Sequence, residues 1–285
     1  MSIDNVTLTS GMQANLIALQ NIEGQINTTQ KDLSTGKKVN SALDNPVSFF
    51  AAQNLNTTAN SLSTLNDAMG QAVQTIQAAN NGITSINTLI QAAQGIVQSA
   101  LSTSNTTTIS SYASQYDSIL TQINTLATDS GYNGTNLLAG NNLTVTFNST
   151  GTSTLTINGV TGGATAAGGL GVTTASAGAS TWVCSTTGLA VQANLTQAVA
   201  ELNTAETSLQ TDSQNLSSSL AVVNARQTFT TSMINTLTTG ADNLTLADMN
   251  EEGANMLALQ TQQSLGVTAL SLSSQAAQSV LKLFP

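Results

Sequence analysis

Few residues in this chain have the types and spacing that chemistry needs. Asp248, Glu251 and Glu252 crowd one short stretch, and neighbouring carboxylates can share general acid–base work when their environments differ. The chain has no His at all, and neither a basic neighbour nor a set of metal ligands accompanies these acids. They read as a solvated or N-terminal helix face, where negative charge meets the positive end of the helix dipole. Cys184 is the single cysteine. It lacks a histidine to take its proton, so nucleophilic work is not implied, and alone it forms neither an intrachain disulfide nor a cysteine-based metal site. With Trp182 it reads as a small apolar plug under a β region. The run GGATAAGGLG (162–171) lacks the Gly-Lys-Ser/Thr ending of a phosphate-binding loop and reads as a flexible surface loop. The sequence therefore implies no catalytic residue, no cofactor and no metal, and the expectation is a protein that is not an enzyme.

The rest of the composition points to assembly. Only 7% of the 285 residues are charged and 3% are aromatic; Ser, Thr, Asn, Gln and Ala stand where Lys and Glu usually cover a surface. Neutral amides and hydroxyls lose less on desolvation than charged groups do, so such a surface suits coverage by neighbours. A net charge of −9 from 5 basic and 14 acidic residues argues against binding nucleic acid or an anionic membrane. Lys37, Lys38 and Asp44 flank a turn before Pro46; they serve either as salt bridges to another copy or as ordinary solvated charge. No run of 18 apolar residues spans a membrane, and the start MSIDNVTLTSG has neither a basic nor an apolar leader region. If the protein leaves the cell, the expectation is export without a cleaved signal peptide.

The elements that would carry such a surface are long helices. Leu55, Leu62, Met69, Ile76, Ile83, Ile90 and Val97 fall seven apart, with Thr58, Leu65, Ala72, Ala79, Ile86, Ala93 and Ala100 three residues behind. Seven heptads predict one helix of roughly 70 Å. The pattern breaks at Thr103 to Thr108, resumes at Tyr112, Tyr116, Ile119, Ile123 and Leu126, and stops at GYNG (131–134), which predicts an antiparallel second helix. Leu195, Leu202, Leu209, Leu216, Val223 and Leu237 hold the same register, with Thr230 its polar member. Between them, LTVTF and TLTI alternate apolar and hydroxyl residues around Asn-Ser-Thr-Gly, a β-hairpin signature. The fold class is mainly α, with long coiled-coil helices from both chain ends and a small β-hairpin region in the middle. At the ends, Met12, Leu19, Ile26 and Leu33 with Leu16, and Val267, Leu270, Ala277, Leu281 and Phe284, form weaker stripes. Gly11, Gly24, Gly36, Gly253 and Gly266 punctuate them, each interior glycine costing about 1 kcal/mol relative to alanine. These ends are expected to order only in company.

LSTGKKVNSALDNPVSFFAA (33–52), GYNGTNLLAG (131–140) and LADMNEEGANMLALQTQQSLGVTALSLSSQAAQSVLKLF (246–284) together resemble bacterial flagellin, the flagellar filament subunit. The resemblance covers residues 1–140 and 189–285, and the short middle implies a reduced outer domain. It implies an inner coiled coil from residues 1–42 and 250–285, disordered in the monomer. It further implies a helical rod from 43–140 and 189–249, and a small outer region, 141–188, whose exposed Ser and Thr are candidates for O-linked sugars. It also implies a helical homopolymer for motility, type III export with a chaperone, contact with filament cap and hook-junction proteins, and an extracellular location. Subunit-interface candidates are Leu16, Leu19, Ile26, Leu33, Val267, Leu270, Leu281 and Phe284. Flagellins seen by the animal Toll-like receptor for flagellin carry arginines where this chain resembles them with Gln91 and Ala93, and a glutamate where it has Gln115, which implies weak receptor activation. The alternatives are a hook–filament junction protein, which resembles flagellin at its ends, and an extracellular helical adhesin.

Overall fold

The computed structural model describes residues 10–165, 169–175, 182 and 188–281, with the side chains of 188–190, 277, 280 and 281 left aside. Its elements are α1 (Ser10–Thr35), α2 (Pro46–Leu101), α3 (Thr106–Asp129), β1 (Leu143–Thr146), β2 (Thr154–Ile157), α4 (Gly188–Thr245) and α5 (Met249–Leu281). The mainly α reading with a central hairpin holds. The helix bounds follow local chemistry. α1 ends at Gly36, whose φ of 70° and N–H bond to the Asp32 carbonyl close the last turn. α2 starts nine residues before the first heptad leucine because Asn45 caps it, its side chain accepting the Ser48 N–H at 3.1 Å, while Pro46 takes the first helical position where no N–H is needed. Asn105 caps α3 by accepting from Thr107 and Thr108.

The chain forms two compact units, Met1–Thr58 with Thr236–Pro285 (the terminal unit) and Ala59–Asn235 (the central unit). The central unit is a three-helix core. Met69, Ile76, Ile83, Ile90 and Val97 of α2 are buried with Tyr116, Leu120 and Ile123 of α3 and Leu195, Leu202, Leu209, Leu216 and Val223 of α4. Thr230, the polar member of the α4 register, is buried as well. Alternating large residues with Ala72, Ala79, Ala93 and Ala100 lets knobs enter holes. α3 runs back along α2, so that the end of α3 and the following loop meet Gly82. A Cβ on Gly82 would lie 2.7 Å from the Leu138 Cδ1 and collide with the Ser130 hydroxyl, so only glycine fits. α4 is antiparallel to α2, with Gln94 bonded to Asn203 at 3.1 Å and Asn80 to Ser213 at 3.3 Å.

The GYNG turn places Asn133 and Gly134 at φ 47° and 80°, the left-handed pair that an Asn-Gly turn supplies. β1 and β2 pair antiparallel, with Leu143 opposite Ile157 and Val145 opposite Leu155; the Arg226 guanidinium lies 5.3 Å from the Phe147 ring centre, stacking α4 on the hairpin. The loop reading of 162–171 is corrected in part. Gly162, Gly163, Ala164 and Leu170 are buried, Gly162 N–H bonds the Leu138 carbonyl at 2.9 Å, and Leu170 N–H bonds Gly163 at 3.0 Å. Small residues there admit close backbone approach while Leu170 and Val172 anchor the strap in the core. Two carboxylates fasten it further: Glu201 accepts the Thr173 N–H and hydroxyl, both at 2.8 Å, and Asp117 accepts the Ala175 N–H at 2.6 Å. Trp182 is buried against Tyr116 of α3, ring centres 4.6 Å apart; Cys184 lies outside the described residues.

Candidate functional site

The terminal unit pairs α1 with α5. On α5 the inward row is Met256, Leu259, Gln263, Gly266 and Leu270, all half-buried and spaced three and four apart, the seam geometry of a coiled coil. Gly266 lets α1 close in, because a Cβ there would stand 2.7 Å from the Leu19 Cδ2. On α1, Met12, Thr29 and Asp32 are buried and Leu19, Ile22, Ile26 and Leu33 are half-buried. Among the interface candidates, Leu19, Ile26, Leu33 and Leu270 are thus partly covered, while Leu16 and Val267 are exposed. The Leu281 side chain and Phe284 lie outside the described residues.

α5 also carries a second apolar row. Leu257, Leu265 and Leu272 are 67%, 66% and 68% exposed and, eight and seven residues apart, share one face of the helix. The sequence stripe through Val267 and Leu270 missed them; the near-heptad spacing of these three leucines was the signal available. Ile17 of α1 is exposed too. All but two of the large exposed apolar side chains among the described residues belong to the terminal unit; Val222 and Phe229 are the others.

Helix hydroxyls are engaged internally on all the long helices, including Thr28 on α1 and Thr261 and Thr268 on α5. Hydroxyls of Thr57, Thr64, Thr84 and Thr88 on α2, Thr121 and Thr125 on α3, and Thr204, Thr207 and Thr211 on α4 donate to the carbonyl four residues back; of these, Thr57 belongs to the terminal unit. A donor already engaged within its own helix is not stranded when a neighbour covers it. Gln91 and Gln115 are exposed, whereas Ala93 is wholly buried in the three-helix core. Of the three positions, only the two glutamines therefore stand at the surface. Burial, and then the charges of Glu201 and Asp117, push the Tyr116 phenol far up, so it stays protonated, without a hydrogen-bond partner among the described residues.

Two of the charged candidates, Asp248 and Asp44, hold backbone N–H groups of their own turns. The Asp248 carboxylate accepts the N–H of Asn250 at 2.9 Å and of Glu251 at 3.3 Å, placing Glu251 and Glu252 in the first turn of α5. Asp44 takes the N–H groups of Asn40 and Ser41 at 3.0 and 2.9 Å and the Lys31 ammonium at 3.3 Å. The Asn40 N–H foremost, helped by Ser41 and Lys31, holds its carboxyl below the ordinary aspartate value. Asp44 thus closes its own turn, and Lys31, which the sequence reading passed over, is its cation. Among the described residues no cluster of three His, Cys, Asp or Glu could hold a metal ion, and no helix is long and apolar enough to cross a membrane.

Long capped helices, one closed core and one unit with apolar rows left outside it define a helical structural subunit rather than a ligand-binding module. Residues 7–143 match the family model described as the bacterial flagellin N-terminal helical region. The chain is 32% identical to flagellin FljK and 31% to flagellin FljO of Caulobacter vibrioides, each over the whole of both chains. It is also 28% identical to a flagellin of Brucella melitensis, over 94% of this chain and 96% of that one. The chain belongs to the flagellin family, the structural subunits of bacterial flagellar filaments.

Proposed function

We propose that this chain polymerises through the outward rows of its terminal unit. Leu257, Leu265 and Leu272 of α5, with Val267 and with Leu16 and Ile17 of α1, meet equivalent helices of other copies, and the half-buried Leu19, Ile26, Leu33 and Leu270 complete their burial there. Leu281 and Phe284 continue the same sequence. The observation that supports this reading is the concentration of exposed apolar side chains in the terminal unit. Ordering two glycine-punctuated helices costs conformational entropy that their thin mutual burial only partly offsets, so coverage by neighbours tightens them. In domain terms, residues 1–42 and 250–285 form the inner layer, 43–140 and 189–249 the rod, and 141–188 the outer region.

The subunit acts mechanically and carries no catalysis. It passes the flagellar export apparatus with a chaperone and without a cleaved signal, is added under the filament cap, and joins the hook through junction proteins outside the cell. It binds no nucleic acid and inserts in no membrane. Gln91 and Gln115 lower activation of the animal flagellin receptor, and a reporter-cell assay giving full potency for purified monomer overturns that part. For assembly, the test is salting-out followed by sedimentation. The full chain pellets as long fibres and a chain lacking residues 250–285 stays soluble; fibres from the truncated chain refute the mechanism.

A further inference from the structure

Three asparagines in this chain precede a glycine: Asn81, Asn133 and Asn158. Such a pair carries a latent reaction, because the nitrogen of a residue without a Cβ is the least hindered in approaching the preceding side-chain amide. All three asparagines are exposed, so access of water does not tell them apart. The glycine nitrogens do differ. Gly82 lies inside α2, where its N–H serves the helix ladder, and the Leu138 Cδ1 and the Ser130 side chain fill the space beside its Cα. The Gly159 N–H donates to the Asn142 Oδ1 at 2.9 Å, and the Asn141 backbone closes in on the same glycine.

Gly134 has neither restraint. Its N–H donates to no group among the described residues, and nothing stands within 4 Å of the place a Cβ would take. Tyr132 and Thr135 close this turn by exchanging N–H bonds at 2.9 and 3.0 Å. Turning the Asn133 Cα–C bond to bring the Gly134 nitrogen onto Cγ strains two hydrogen bonds at the surface, a local opening, whereas the same rotation at Asn81 breaks into a long helix.

We infer that Asn133 is a site of spontaneous modification, the one of the three pairs that the fold leaves reactive. The Gly134 nitrogen bonds to the Asn133 Cγ, the Cγ–Nδ2 bond breaks, and Nδ2 leaves as ammonia with the proton that the nitrogen gives up. Water then opens the cyclic imide at either carbonyl, leaving aspartate or isoaspartate. Either product adds a negative charge. Isoaspartate also puts an extra carbon into the backbone of the turn, which parts Tyr132 from Thr135 and loosens the Tyr132 hydroxyl from the Gln71 side chain it holds at 3.0 Å. The site is independent of the filament reading.

The test incubates the full folded chain in warm, mildly alkaline buffer and follows the peptides carrying each asparagine by mass spectrometry, with an isoaspartyl methyltransferase to mark isoaspartate. Asn133 should convert severalfold faster than Asn81 or Asn158 in the folded chain, while the three rates draw together in concentrated urea. Asn81 or Asn158 leading in the folded chain, or Asn133 staying intact there while it reacts in urea, overturns the site. Amide exchange at Tyr132 and Thr135 should quicken in the isoaspartyl fraction; unchanged exchange rejects the loosened turn.

Discussion

The two compact units solve the problem of burying helices in opposite ways. The central unit, with three helices and a strap around one seam, closes its core within the chain: Met69, Ile76, Ile83, Ile90 and Val97 have at most a hundredth of their surface left to water. In the terminal unit α1, α5, the start of α2 and the end of α4 bury few apolar side chains, Met12, Val39, Ala52 and Ala241 among the described residues, and leave long ones outside. A pair of helices has too little interior to cover both faces of each member, whereas a third helix supplies the missing wall. If assembly runs through the terminal unit as proposed, stability and assembly would rest on separate parts of one chain, and substitutions should separate them.

The largest effect should come from the closed unit. Gly82→Val drives a branched side chain into Ser130 and Leu138; it should prevent cooperative melting near the wild-type temperature, read by circular dichroism. Ile83→Ala should cost about 2–5 kcal/mol, the usual range for emptying a buried site. Leu257→Ala should move melting by less than about 0.5 kcal/mol, as exposed sites do, yet raise the concentration needed for fibres severalfold by sedimentation. If both substitutions shift melting and assembly in proportion, the division between the units fails.

Gly266→Val should next loosen the α1–α5 pair by pressing on Leu19, weakening assembly while Trp182 fluorescence stays that of the wild type. Gly24→Ala meets only open space and should stabilise α1 by up to about 1 kcal/mol. Acid sharpens the contrast further. Asp44 has a lowered carboxyl value in the folded turn, so its contribution is present above the unfolded aspartate value and disappears as pH falls through the folded one, below about pH 4. Amide exchange at Asn40 and Ser41 should quicken there, and in Asp44→Asn at every pH. The smallest effect is Tyr116→Phe, which removes a buried hydroxyl without a partner among the described residues; melting should stay level or rise by up to about 1 kcal/mol.

Much of this was legible beforehand. Seven-residue spacing located the central seam because a closed core must repeat with the helix, and Thr230 kept its buried place in the register although polar. The loop reading of 162–171 missed the burial of Ala164 and Leu170, since glycine and alanine signal looseness in a sequence but also permit close packing, and Leu170, with Val172 beyond it, finds its bed only in three dimensions. The interface candidates followed the stripe that α1 and α5 partly use on each other; Leu257, Leu265 and Leu272 were hidden because a helix with two apolar faces shows no single stripe. Ala93, matched by resemblance to a receptor motif, lies in the core where its place in the heptad companions puts it.

The sequence alone determined the helices, their seam, the hairpin and the nearly uncharged surface, because periodicity and composition are local properties that survive without a partner. Only the tertiary structure decided which apolar residues the chain buries within itself and which it leaves exposed. That choice depends on how many helices surround each face, and the terminal pair has one wall too few.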